Sequence, residues 1–126
     1  MDETIRAALA HSQVIDITTT GRRSGETRRI EIFLHNLGDR LVISGMPMPG
    51  RTRAWLRNVE ADPAMTIHLK GPGVVADVDG TARVITDPAE RRALLVGVMA
   101  NWKRTDLDVM VEHSPLIEVT VPGYAG

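Results

Sequence analysis

Residues 14–43 read VIDITTTGRRSGETRRIEIFLHNLGDRLVI, and this stretch decides the fold. β-Branched and apolar residues dominate 14–20, and apolar side chains then alternate with polar or aromatic ones over 29–35. Both patterns are typical of strands, the second of a strand that buries one face. Gly38-Asp39 marks a tight turn, after which a third apolar run covers 41–43. Three strands joined by short connections predict antiparallel pairing.

The rest of the chain adds three helices and three strands. The predicted helices cover 2–12, 52–62 and 87–102, and the predicted strands cover 65–70, 74–86 and 116–121. Thr52 is a candidate N-cap, and Asp87-Pro88 is a stronger helix start because Asp caps the end and Pro fits the first turn. Asp79-Gly80 is a candidate turn or bulge inside its strand, and 106–113 is ambiguous.

About six strands and three helices follow one another in the order α-βββ-α-ββ-α-β. The spacing is that of hairpins and shows no regular βαβ alternation, so we expect a mainly antiparallel sheet or barrel and not a Rossmann fold. The chain shows no internal repeat and no linker. Residues 1–126 are therefore predicted to form a single domain.

Composition excludes several classes of protein. The formal net charge of -1 argues against a general binder of nucleic acid or of membrane surfaces, so any anion recognition is local. The chain has no cysteine, which rules out disulfides and thiolate nucleophiles. It has no apolar run of bilayer length, and its first residues are acidic where a signal peptide is basic. We expect a cytoplasmic protein with no integral membrane segment.

The connection at 21–28 carries the strongest chemical signal. Two glycines frame GRRSG, a tight segment that can present backbone N–H groups, the Ser24 hydroxyl and guanidinium groups to a phosphate or carboxylate. The spacing matches neither a P-loop nor a dinucleotide fingerprint. The alternative is an exposed hairpin with solvated arginines, which composition alone favours. No aromatic residue interleaves the arginines, which argues against base contacts.

A second basic group, Arg51, Arg53 and Arg57, surrounds Trp55 in the predicted second helix. If this helix faces the first group, the arginines would form one basic mouth. The alternative is a solvated helix face with Glu60 as an internal partner. Trp55 itself is expected in the core.

Acid–base machinery is scarce in this sequence. The four histidines have no metal-ligand spacing, the serines lack a nucleophile-elbow context, and Asp77 and Asp79 fit a solvated strand face. We predict no metal site and name no catalytic residue. An anion seat without such machinery suggests a bound cofactor that supplies the reactive atom.

Three segments together, ITTTGRRSGETRR, AWLRNVEADP and MTIHLK, resemble the deazaflavin (coenzyme F420)-dependent nitroreductase family. The resemblance runs from about Val14 to Lys70 and more loosely to the last strand. It implies an α+β, mainly β fold, the split β-barrel that is related to FMN-binding barrels. Such barrels often pair, so a homodimer is expected by analogy of fold.

The resemblance also implies a site. Arg22, Arg23 and Arg28 would hold the acidic tail of F420, and the end of the third strand with the start of the second helix would line the deazaflavin ring. The complete set of implied cofactor-binding residues is Arg22, Arg23, Ser24, Arg28, Ser44, Gly45, Met46, Arg53, Ala54 and Asn58. Met99, Trp102 and Met110 would form an apolar wall for the substrate, because the family's substrate-side tyrosines have no counterpart here.

The implied reaction is hydride transfer from reduced F420 to a small lipophilic or aromatic electrophile: a quinone, an activated alkene or a nitroaromatic. One departure concerns residues 45–50, GMPMPG, where many relatives carry a lysine that helps hold the cofactor; Arg51 or Arg53 would have to replace it. Two alternatives stay open: a non-catalytic carrier of a fatty acid or similar ligand, and an FMN-dependent oxidoreductase of the same fold.

Overall fold

The computed structural model describes residues 1–124, which form six strands and four helices. In chain order the elements are α1 (Glu3–Leu9), β1 (Gln13–Thr20), β2 (Thr27–Leu37), β3 (Arg40–Ser44), α2 (Ala54–Ala61), β4 (Ala64–Lys70), β5 (Val75–Val84), α3 (Pro88–Trp102), α4 (Leu107–His113) and β6 (Leu116–Thr120). No helix among residues 1–124 is long and apolar enough to cross a bilayer.

The six strands close into one barrel in the order β1-β2-β3-β6-β5-β4, and every neighbouring pair is antiparallel. β1 pairs with β2 on one side and with β4 on the other, which places the β1–β2 connection beside the end of the barrel where β4 begins. The mainly antiparallel α+β barrel predicted from the sequence is confirmed.

Two apolar clusters hold the structure together. The alternating residues of the strands point inward, so that Ile15, Ile17 and Leu34 have no exposed surface inside the barrel. A second cluster lies outside the barrel wall, where α3 and α4 cover Val42 and Leu116. Full burial of each such side chain contributes roughly 1.5–3 kcal/mol.

A group of four charged side chains fastens the start of α3 to the barrel. Arg83 Nη2 lies 2.8 Å from carboxylate oxygens of both Glu90 and Glu118, and Arg40 contacts the same two carboxylates at 3.0 and 2.6 Å. The hydrogen bonds from Arg83, then from Arg40, lower the pKa of Glu90 to about 2. α3 is thereby tied to β3, β5 and β6 as well as packed against them.

Several local predictions need correction. α1 ends at Leu9, short of residue 12, and α2 starts at Ala54 with Arg53 in the N-cap position, so Thr52 lies one residue too early to cap it. Residues 107–113, left ambiguous, form the fourth helix. Asp79-Gly80 makes no turn, because β5 runs unbroken through it. Asp87 does cap α3, accepting a hydrogen bond from the Glu90 amide.

The position of Gly80 in β5 has no room for a side chain, because β6 lies close to it. A Cβ there would lie 2.7 Å from Val119 Cγ1 and 3.3 Å from the Thr120 carbonyl oxygen. We expect Gly80→Ala to lower the free energy of unfolding by about 1–3 kcal/mol, measured by urea titration, since overpacking a core costs that much. Adding Val119→Ala should cost less in the Gly80→Ala background than in the wild type; strictly additive costs would contradict this steric explanation.

Candidate functional site

The connection between β1 and β2, residues 21–26, is a closed loop; together with the first two residues of β2 it forms the segment 21–28, which we call the arginine loop. The Gly21 amide donates to the Glu26 carbonyl at 2.7 Å, and the Gly25 amide donates to the Gly21 carbonyl at 2.9 Å. Gly25 has φ +72°, and a Cβ on Gly21 would lie 2.9 Å from the Glu26 carbonyl oxygen. Both glycines are therefore required by the loop's geometry.

The structure leaves fewer backbone amides of the arginine loop free than the sequence predicted. Ser24 Oγ accepts from the Glu26 amide at 3.1 Å, and the Arg22 amide donates to Asn58 Oδ1 at 3.3 Å. Among the contacts of residues 1–124, the amides of Arg23 and Ser24 remain without an acceptor. Two amides, not a full concave series, are left for an anion.

Beside the arginine loop lies a cavity of about 260 Å³, which we call the arginine seat. Its lining comes from the arginine loop and from α2: Gly21, Arg22, Arg23, Ser24, Arg28, Ala54 and Asn58. The structure thus brings together six of the ten predicted cofactor-binding residues. Within the described chain, none of the three arginine side chains has a carboxylate within ion-pair distance, so the seat carries uncompensated positive charge.

Arg29, the fourth arginine of the stretch, faces away from the seat. Its Nε lies 2.9 Å from Asp16 Oδ2 on the outer face of the barrel. Lys70 Nζ lies 2.8 Å from the other Asp16 oxygen, and these hydrogen bonds, that of Lys70 first, lower the pKa of the Asp16 carboxyl group. Strand alternation therefore separates Arg28 from Arg29.

Asn58 joins α2 to the arginine loop. Its side chain is 2% exposed; Nδ2 donates to Thr19 Oγ1 at 3.0 Å, while Oδ1 accepts from the Arg22 amide. The position of the arginine loop over α2 depends on this amide group. Residues 54 and 58 share one face of the helix, which is why Ala54 also reaches the seat.

The start of α2 adds to the positive character of the seat. Arg53 in the N-cap position makes no side-chain hydrogen bond to the helix, so the first-turn amides have no side-chain cap. Such an end carries a partial positive charge and favours anions. Ala54, the first residue of α2, lies in the wall of the seat.

The remaining predicted cofactor-binding residues, Ser44, Gly45, Met46 and Arg53, form a neighbouring group. The Arg53 guanidinium donates to the Met46 carbonyl and contacts Met48 Sδ at 3.2 Å, and it lies against Gly45, where a Cβ would be 3.2 Å from Nη2. Ser44 is 1% exposed, and its hydroxyl donates to the Pro115 carbonyl at 2.7 Å. Arg53 thus reaches the segment that lacks the family's lysine.

The two groups of arginines do not form one mouth. Arg51, Arg53 and Arg57 line a different cavity, because the N-cap Arg53 and Arg57 are turned about 100° around the helix axis from residues 54 and 58. Arg57 pairs with Glu60 at 3.1 Å, as the alternative interpretation predicted. Trp55 packs in the core with 7% exposure, also as predicted.

The predicted substrate residues lie in the second apolar cluster. Met110 is fully buried there, and Met99 and Trp102 pack against it. The Trp102 ring meets the His35 imidazole edge-on, with 4.9 Å between centroids. A direct contact of these residues with a substrate stays a prediction.

Three residues that line or support the candidate site are absent from the cofactor-binding set predicted from the sequence. Gly21 lines the seat, Thr19 holds Asn58, and Arg104 Nη1 contacts Met46 Sδ at 2.8 Å. Thr19 has a sequence signal, since it follows Ile15 and Ile17 on the inward face of β1. Arg104 has none, because its contact joins residues 58 positions apart.

We expect Asn58→Ala to lower the free energy of unfolding by about 1–3 kcal/mol, since it leaves the buried Thr19 hydroxyl without its donor. Pairing with Thr19→Val removes both partners and should recover part of that loss. Chemical denaturation of the single and double variants measures the coupling. Equal stability of wild type and Asn58→Ala would show that the amide does not anchor the arginine loop.

The structure thus combines a closed antiparallel barrel with a basic cavity between a strand connection and a helix start, an arrangement whose charge favours an anionic group. The family model described as F420H(2)-dependent quinone reductase matches residues 2–121. The chain therefore belongs to the F420H(2)-dependent quinone reductase family. Membership makes it an oxidoreductase with coenzyme F420 as its cofactor, which confirms the prediction made from the sequence.

Solved structures agree on the fold. An "F420 Reductase" is 17% identical, with a TM-score of 0.72 and coverage of 99% of this chain and 98% of the other. An "F420-H2 Dependent Reductase (FDR-A)" is 19% identical, with a TM-score of 0.60 and coverage of 85% and 93%. A putative 5-nitroimidazole antibiotic resistance protein from Bacteroides thetaiotaomicron is 14% identical, with a TM-score of 0.70 and coverage of 97% and 80%. A search among curated proteins found no match.

Proposed function

We propose that this protein is an F420H2-dependent reductase that transfers a hydride to an apolar electrophile, a quinone in the first place. The observation that carries the proposal is the arginine seat, whose three arginines have no carboxylate partner within residues 1–124. When bound, reduced F420 supplies the hydride from its deazaflavin ring. The protein's own residues bind and orient the cofactor and shield the reaction site from water.

The residues of the seat fit the acidic tail of F420. Arg22, Arg23 and Arg28 offer guanidinium groups, which bind phosphate and carboxylate in bidentate fashion. The free amides of Arg23 and Ser24 and the uncapped start of α2 add donors on the same side. Arginines that lack internal partners lose no ion pair when the cofactor binds.

The deazaflavin ring is assigned to the neighbouring group of residues. Gly45 allows Pro115 and Arg53 to pack against the end of β3, since a Cβ there would lie 3.0 Å from Pro115 Cγ, and Arg53 holds the following segment through the Met46 carbonyl. Met46 is 44% exposed and offers a polarizable apolar surface. In this proposal the nearby apolar cluster of α3 and α4 limits water, and the reaction proton comes from solvent.

Titration of the purified protein with F420, followed by quenching of cofactor fluorescence, tests the proposal. We expect saturable binding in the micromolar range or tighter, followed by oxidation of F420H2 when menadione is added. A titration with FMN in parallel tests the alternative cofactor. Absence of saturable F420 binding would overturn the proposal, and binding without turnover of any quinone, alkene or nitroaromatic would favour a carrier.

A further inference from the structure

A second cavity lies against a different face of α2 from the arginine seat, and of the residues assigned to the cofactor it shares only Arg53. We call it the rear cavity. It has a volume of about 360 Å³ and lies between α2, the connection from β5 to α3, and the connection from α4 to β6. It is lined by the N-cap Arg53 and by the α2 residues at positions 56, 57 and 60, whereas positions 54 and 58 face the arginine seat.

Positive charge exceeds negative charge around the rear cavity. Four arginines and two glutamates line it. Arg57 is matched by Glu60 at 3.1 Å, and Arg91 donates to backbone carbonyls, among them those of Ile85 at 2.9 Å and Val111 at 2.8 Å. Among the described residues, this leaves two arginines that have neither a carboxylate partner nor several backbone carbonyls as acceptors.

These two cations, Arg51 and Arg53, follow each other closely in the chain. Arg53 is half-buried, and burial, followed by the charge of Arg51, lowers the pKa of its guanidinium. Arg53 Nη2 donates to the Met46 carbonyl. The other N–H groups of Arg53 have no hydrogen-bonded acceptor within residues 1–124. A bound anion would relieve both the desolvation and the repulsion.

The rest of the lining supplies an apolar surface and one unused polar group. Leu56, Val84 and Leu116 contribute side chains to the wall. Ser114, also in the wall, is 3% exposed, and its hydroxyl oxygen has no hydrogen-bond partner in the described structure. Buried hydroxyls without a partner are rare in folded proteins and call for an explanation.

We propose that the rear cavity binds a compact organic carboxylate, whose charged group lies between Arg51 and Arg53 and whose apolar body rests on Leu56. A singly charged ligand is favoured because Glu60 and Glu112 in the same lining oppose a second negative charge. A compact body is favoured over a long chain because 360 Å³ is small and open. The site is separate from the arginine seat and does not depend on F420.

The experiment uses 1-naphthoate as the probe and its neutral analogue 1-naphthalenemethanol as the control. In amide NMR spectra of the full chain, we expect saturable shifts with naphthoate at residues 56, 57 and 114–116. The neutral alcohol should bind at least tenfold more weakly, because it cannot form the charge-assisted hydrogen bonds that a carboxylate accepts from arginine. Equal binding of both probes would overturn the proposal.

Two sets of variants separate this site from the arginine seat. Arg51→Gln alone changes an exposed side chain and should weaken naphthoate binding several-fold, while Arg51→Gln with Arg53→Gln should weaken it further. Arg22→Gln with Arg28→Gln should leave naphthoate binding unchanged. Naphthoate shifts that map to residues 21–28, or that persist in the Arg51→Gln/Arg53→Gln protein, would refute the site, whatever the outcome with F420.

Discussion

Replacing Arg22 and Arg28 together by glutamine should weaken F420 binding by at least two orders of magnitude. Each arginine is expected to make a charge-assisted hydrogen bond worth about 1.5–3 kcal/mol, and about 1.4 kcal/mol corresponds to a factor of ten. Neither side chain has an ion-pair partner among residues 1–124, so the substitution should leave the free energy of unfolding nearly unchanged. Fluorescence titration with F420 measures the affinity.

Arg29→Gln is the matched control for that experiment. Arg29 is adjacent to Arg28 but pairs with Asp16 on the outer face of the barrel. It should therefore retain wild-type affinity for F420. If Arg29→Gln weakens binding as much as the double variant, the effect is a general one of net charge, and the arginine seat is not the binding site.

Acidification from pH 6.5 to 4 should cost the protein about 3 kcal/mol of stability through His35 alone, at about 1.36 kcal/mol per pKa unit. His35 has no exposed surface, and burial lowers its pKa from 6.5 to about 4. Its Nδ1 lies 2.9 Å from Asn101 Nδ2, and its Nε2 has no partner within the described chain. The folded state thus holds the neutral ring.

Proton binding determines the direction in which stability changes with pH. Above pH 6.5 the ring is neutral in both states, and the full stability is present. Between pH 6.5 and 4 the unfolded chain binds a proton that the folded chain does not, so stability falls as the pH falls. Glu90, with its pKa lowered from 4.5 to about 2, adds its own loss only at lower pH, which keeps the two windows largely separate.

Urea titrations at a series of pH values between 7 and 4 test this prediction. The His35→Gln protein, which keeps a polar amide but cannot take up a proton in this range, should lose much less stability over the same interval. Parallel curves for wild type and variant would show that another group controls the acid sensitivity.

Some helices and strands can be predicted from local sequence, and others cannot. The alternation of apolar residues in β2 and the Asp87-Pro88 start of α3 are local signals, and both elements form as predicted. α4 has no such signal: its N-cap Asp106 makes no side-chain hydrogen bond to the helix, and the helix is held by burial of Met110 against α3. Short helices depend on tertiary packing more than on propensity.

The burial of His35 likewise cannot be predicted from local sequence. Strand alternation places this residue on the outer face of β2, where a half-buried strand would expose it. α3 covers that end of the face and brings Trp102 and Asn101 onto the ring. A contact across 66 residues has no counterpart in local sequence pattern.

By itself, the sequence determined the antiparallel strands, the loop glycines and the surplus of arginine next to them, because periodicity and turn chemistry act over a few residues. Only the tertiary structure decided which arginines act together. The register sets Arg29 opposite Thr18, so that its side chain reaches Asp16 diagonally on the same face, and leaves Arg28 to the seat. Burial of Trp55 and Val59 sets the rotation of α2, which sends Asn58 to one cavity and Arg53 to the other. Both outcomes depend on contacts between distant segments, and these exist only once the barrel has closed.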